Sequence, residues 1–91
     1  MSFEIRHDSA ARRFETVVDG QPCELDYRLA GKVMTITHTG VPGPVEGRGI
    51  ASALTQAAME TARAEGWSVV PACAYAASWL RRHPEFADLR A

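Results

Sequence analysis

Glu46-Gly47-Arg48-Gly49-Ile50-Ala51-Ser52 separates two stretches of opposite character. The residues before it alternate apolar and polar like strands, and the residues after it repeat at helical spacing. The run leading in, Val41-Pro42-Gly43-Pro44-Val45, is too rich in Gly and Pro for a regular element. Glycines at a strand-to-helix turn let the backbone bend sharply and point successive N–H groups outward. The start of the following helix adds roughly half a positive charge. Together these features describe a cradle for a phosphate or pyrophosphate. The competing reading is a plain glycine-containing turn that binds nothing.

Downstream, Ile50, Leu54, Ala57, Ala58 and Thr61 fall near one stripe, which predicts a helix over Ile50–Glu65. Gly66 follows as a left-handed terminator. Trp67–Val70 reads as a short strand, with Pro71 at its end because proline cannot donate to a ladder. A strand, a helix and a second strand in succession predict parallel neighbours joined by a crossover. Ala74–Arg82 reads as a second, shorter helix stopped by Pro84.

Upstream, the predicted strands are Phe3–His7, Phe14–Val18, Cys23–Leu29 and Val33–Thr39. Asp8–Arg13 reads as a turn, Asp19-Gly20 as a tight hairpin and Gly31-Lys32 as the next turn. Cys23, Leu25, Tyr27 and Leu29 share one face, as do Met34, Ile36 and His38, with Thr35, Thr37 and Thr39 opposite. The expected fold is α+β: a mixed, mostly antiparallel sheet with one long and one short helix, in one domain over residues 1–91.

The composition is that of an ordinary globular chain, 46% hydrophobic and 23% charged with a net charge of −1. That balance argues against disorder. It also argues against nucleic acid as the main partner, since phosphate-backbone binders carry a basic surplus. No apolar run approaches the roughly 18 residues of a membrane span, and the first residues lack a signal-peptide core. Cys23 and Cys73 are too far apart for CxxC chemistry, and His7, His38 and His83 are scattered, so no metal site is expected. These features read as a reduced, cytoplasmic protein.

Two familiar phosphate motifs are missing. Lys32 is the only lysine and lies outside any GxxxxGK[ST] pattern, and Ser52 stands where GxGxxG needs its last glycine. The cradle instead resembles the acetyl-coenzyme A signature [QR]xxGx[GA] of the GNAT superfamily of N-acetyltransferases. It falls on Glu46 to Ala51, with Gly49 and Ala51 matching and Glu46 replacing Gln or Arg. A small, single-domain branch of that superfamily is similar along nearly the whole chain. The landmarks are LDYRL at Leu25–Leu29, THTxVP at Thr37–Pro42, GRGIAS at Gly47–Ser52, VPAC at Val70–Cys73 and RHPEF at Arg82–Phe86.

The resemblance implies a sheet splayed near its middle, with the pantetheine of acetyl-CoA in the splay. It implies that backbone N–H groups of Gly47–Ser52 hold the pyrophosphate. The implied cofactor-binding residues are Val41, Gly47, Arg48, Gly49, Ile50, Ala51, Ser52 and Cys73. The implied activity is acetyl transfer to an amine, on a small molecule or a protein, and the open acceptor side is compatible with a homodimer. The alternatives are a coenzyme A-binding module without catalysis and a structural interaction domain. Gly40 stands where the branch often carries Glu, which removes a natural base at that position.

Three side chains are candidates for chemistry. Cys73, just before a helix, is either a nucleophile or acetyl acceptor, or a small hydrophobe against the cofactor. His38, in phase with Met34 and Ile36, is either a base for the acceptor amine or a structural residue within the sheet. Tyr75 is either a general acid for the departing thiolate, as the resemblance implies, or a packing residue. Cys23 reads as core. His83 reads as a helix-end group satisfying terminal carbonyls.

Overall fold

Residues 3–91 are described by a computed structural model. The strands are β1 (Arg6–Asp8), β2 (Arg13–Val18), β3 (Gln21–Ala30), β4 (Val33–Gly40) and β5 (Ser68–Pro71). They form a five-stranded sheet in sequence order. The first four are antiparallel neighbours, and β4 and β5 run parallel. Helix α1 (Ile50–Glu65) makes the crossover between those two, and α2 (Ala74–Arg82) follows β5. The fold is therefore the α+β, mostly antiparallel arrangement expected.

Local chemistry explains the turns. Asp19 and Gly20 both take positive φ, 50° and 74°, as a tight hairpin requires. Gly66 ends α1 at φ 74°, and its N–H bonds back to the carbonyls of Ala62 and Arg63. His83 Nδ1–H donates to the Trp79 carbonyl at 2.8 Å, so it does satisfy the end of α2.

One face of the sheet carries the core. Phe14, Leu25, Tyr27, Met34, Ile36 and Val69 pack against Leu54, Ala58, Met59 and Ala62 of α1 and Ala76, Trp79 and Leu80 of α2. Burying a side chain of the Leu, Ile or Met size contributes about 1.5–3 kcal/mol. The opposite face carries Glu15, Val17, Glu24, Asp26, Arg28 and Thr35, all partly or fully exposed.

Three features depart from the expectation. The first strand begins at Arg6, not Phe3: the ladder starts with Arg6 opposite Glu15, while Phe3 and Ile5 pack on the core from irregular chain. A 3₁₀ helix, Pro84–Leu89, follows α2, and Ala91 N–H then bonds to the Val69 carbonyl, extending the sheet beside β5.

The third departure decides the site. Tyr27 pairs with Ile36, yet Asp26 pairs with His38, so Thr37 is an extra residue in β4. A one-residue bulge reverses the alternation beyond it. His38 therefore does not share a face with Met34 and Ile36. It joins Asp26 and Glu24 on the outer face, with its side chain 59% exposed. Thr39 turns to the inner face, opposite Leu25.

Candidate active site

Strands β4 and β5 part company halfway along β4. Their pairing ends with Ile36 opposite Pro71, and the Ile36 carbonyl then accepts from both Ala72 and Cys73 N–H. The rest of β4, Thr37 to Gly40, has β3 on one side and, among the described residues, no strand on the other. This open edge leads through Val41 and a 3₁₀ turn at Gly43–Val45 into the glycine turn.

Gly47 and Gly49 both take φ 80°, and Gly49 is the residue capping α1. A Cβ on either would project into open space, so glycine is needed there for its backbone conformation and not for lack of room. Among the described residues, no N–H group from Gly47 through Ser52 donates to the protein; the first such bond runs from Ala53 to the Gly49 carbonyl. These donors border a cavity of about 210 Å³ lined by Val41, Val45, Glu46, Gly47, Gly49, Ile50, Ala51, Ser52 and Tyr75. Unbonded N–H groups at the start of a sixteen-residue helix, next to an apolar wall, fit a phosphate joined to an apolar tail.

The sequence-predicted residues divide as follows. Val41, Gly47, Gly49, Ile50, Ala51, Ser52 and Tyr75 meet around the cavity. Arg48 turns its side chain away: its guanidinium donates to Asp19 Oδ2 at 2.6 Å, tying the glycine turn to the β2–β3 hairpin. Cys73 caps α2, its Sγ accepting the Ala76 N–H at 3.4 Å and lying 3.6 Å from Thr39 Oγ1. Tyr75 is half-buried and lines the cavity from α2. His38 stands on the other face of the sheet. Cys23 is buried, as expected, and burial pushes its thiol pKa up.

Sequence reasoning missed two participants. Thr39 borders the site only because of the bulge. Trp79 donates its Nε1–H to Ser52 Oγ at 2.8 Å, which fixes the first turn of α1 against α2. The polar tip of a buried Trp needs a partner, but the sequence does not show which.

The family model of the GCN5-related N-acetyltransferases matches residues 13–89. The chain belongs to that family. This GCN5-related chain is 31% identical to Protein NATD1 of Xenopus tropicalis over 91% of its own length and 79% of the relative's. It is 30% identical to Protein NATD1 of Mus musculus, over 88% of its own length and 76% of the relative's. Its fold matches the NMR structure of a GCN5-like protein from Staphylococcus aureus at a TM-score of 0.77, with 26% identity, covering all of this chain and 91% of the other. Among the described residues of this GCN5-related fold, no helix is long and apolar enough to cross a membrane, and no cluster of His, Cys, Asp or Glu is arranged to hold a metal ion.

Proposed function

We propose that the protein binds acetyl-CoA in the glycine cradle and transfers the acetyl group to an amine. The observation that carries this reading is the run of unbonded N–H groups from Gly47 to Ser52, placed beside the open edge of β4. The N–H groups would hold the pyrophosphate. The apolar wall of Val41, Val45 and Ile50 would cover part of the pantetheine.

Bound acetyl-CoA supplies an activated acyl carbon with a thiol leaving group. The residues of this chain orient it. Thr39 and Cys73 meet on the inner side of the splay, and Tyr75 lines the cavity from α2. Holding both reactants in a fixed geometry lowers the barrier without a covalent enzyme intermediate. Cys73 caps α2 in this scheme, and the transfer is direct.

A second reading, a CoA-binding module without transfer, draws support from the cavity itself. Among the described residues, Glu46 and Tyr75 are the only titratable side chains lining it. Calorimetric titration with acetyl-CoA, coenzyme A and inorganic phosphate, paired with turnover on a panel of amines, separates the readings. Binding of both coenzymes with turnover supports the transferase. Binding without turnover of any amine supports the module. If neither coenzyme binds, the cradle assignment is lost.

A further inference from the structure

Gly40, at the end of β4, pairs directly with Glu24 of β3. A Cβ built on Gly40 would overlap Glu24 Oε2 and stand 2.8 Å from His38 Nε2. The volume beside residue 40 is thus filled by a carboxylate reaching across from the neighbouring strand. Glu24 can take this position only because residue 40 lacks a side chain. The carboxylate lies 3.8 Å from His38 Nε2 and is about one-third exposed, at 29%. Gly40, over which this carboxylate lies, is one residue before Val41, which lines the cradle cavity.

The surroundings of Glu24 select for a cation. On the outer face, Arg6 is bonded to Glu15 and Arg13 to Asp26. Both arginines bond to other carboxylates, and among the described residues no arginine or lysine forms an ion pair with Glu24, although the charge of Arg13 is close enough to interact with it. Val17, 69% exposed, and Pro22 form an apolar floor at the hairpin side of Glu24. A concavity of about 560 Å³ is lined by Val17, Pro22 and Glu24 together with Glu4, Arg6, Arg13 and Glu15.

We propose that this concavity is the acceptor site and that its ligand is an alkylammonium group, with the apolar stem on Val17 and Pro22 and the nitrogen at Glu24. The inference rests on the transferase reading above. Glu24 accepts a hydrogen bond from the ammonium, and the first proton passes through it to solvent. The free lone pair then forms the C–N bond to the acetyl carbon as the C–S bond breaks. The second proton goes from nitrogen to the departing sulfur. The products are an N-alkylacetamide, the free thiol of coenzyme A and one released proton. Free amines and lysine side chains share this chemistry, so both are tested.

The variants are Glu24→Gln, Gly40→Ala and the double variant Glu24→Ala/Gly40→Glu. Three readouts are taken: calorimetric titration with coenzyme A, amide chemical shifts on titration with n-butylammonium without cofactor, and kcat and KM with n-butylamine and with a short lysine peptide. Coenzyme A affinity should stay within about twofold in all three. In the unmodified protein, n-butylammonium should move amides of Val17, Glu24 and Gly40, and the response should weaken at least about fivefold in Glu24→Gln. Turnover should fall at least about tenfold in Glu24→Gln and in Gly40→Ala, where the new Cβ displaces a flexible carboxylate. The double variant should recover at least half of that loss, because its carboxylate reaches the same volume from β4. The better of the two acceptors identifies the source of the ammonium. Unchanged amine binding and turnover in Glu24→Gln, or shifts confined to α1, overturn the assignment. Absence of coenzyme A binding in the unmodified protein overturns the transferase reading instead, and the amine titration still reports on the outer face.

Discussion

The indole Nε1–H of Trp79 donates to Ser52 Oγ at 2.8 Å, so a side chain of α2 holds the first turn of α1, where the unbonded N–H groups lie. The same indole stacks on His83, with ring centroids 3.6 Å apart. One fully buried residue thus links the cradle to the far end of α2. Trp79→Phe keeps most of the ring packing and removes the donor. It should lower stability by about 1 kcal/mol and leave the Ser52 hydroxyl without its partner. Ser52→Ala should cost a similar amount, and the two changes together should cost clearly less than their sum. Denaturant melts of the four proteins measure this; full additivity would mean that the bond contributes nothing.

Gly49 caps α1 at φ 80°, where a β-branched residue is strained. Gly49→Val should destabilise the fold by about 1–3 kcal/mol and weaken coenzyme A binding at least about tenfold. Gly49→Asn, which tolerates this conformation better, should cost less in both. A folded Gly49→Val with unchanged affinity would detach the cradle from coenzyme A binding.

Much of this arrangement is legible in the sequence, and the failures have a common origin. The bounds of α1 and α2 follow from apolar spacing and from Gly66 and Pro84, because helix ends are written in local chemistry. The inward set Cys23, Leu25 and Tyr27 follows from strict alternation. Alternation counted from Met34 assumes an unbroken pleat and so puts His38 on the wrong face, and nothing about Thr37 marks it as the bulged residue. Arg48 looks like an anion ligand by position, yet its partner Asp19 lies 29 residues away in sequence. The position of Glu24 is hidden in the sequence for the same reason. Its relation to Gly40 exists only across paired strands, whereas the sequence shows Gly40 simply as a missing side chain.

Cys73 tests direct transfer. Its Sγ accepts the Ala76 N–H, a capping role that serine also fills. Cys73→Ser should retain stability to within about 0.5 kcal/mol, and Cys73→Ala should lose about 1 kcal/mol. Both should turn over at near the unmodified rate, and intact-mass spectra after incubation with acetyl-CoA should show no acetyl adduct on the thiol. An adduct that vanishes in Cys73→Ser, with turnover lost alongside it, would make the thiol a covalent carrier.

His7 gives stability a pH dependence. Its ring stacks on Phe14 at 4.2 Å and its Nε2 is hydrogen-bonded to the Tyr27 hydroxyl at 2.6 Å. Burial of the ring, helped by the nearby charge of Arg12, lowers its pKa below the ordinary 6.5. The unfolded chain therefore binds the proton more readily than the folded one. This contribution to stability is fully present above pH 6.5 and declines as pH falls from there through the folded value. The denaturant midpoint should drop more between pH 7.5 and 5.5 in the unmodified protein than in His7→Gln. Equal drops would show that His7 titrates alike in both states.

His38 is the last candidate base, and its position argues for a supporting role. An alkylamine with a pKa near 10 is mostly protonated at neutral pH, so its proton must leave before attack. His38 lies on the outer face, 3.8 Å from the Glu24 carboxylate, and belongs to the acceptor side and not to the cradle. With Glu24 holding the ammonium and passing its proton on to solvent, the rate should track the fraction of free amine. It should climb through roughly pH 8–9 without levelling off between pH 6 and 7. His38→Gln should cost less than about tenfold in kcat/KM, or about 1.4 kcal/mol, and should leave the shape of the profile unchanged. A plateau at pH 6–7 that disappears in His38→Gln would transfer the role of base to the imidazole. Glu24 would then orient the ring, with its carboxylate on the side of His38 that the bulge at Thr37 turned outward.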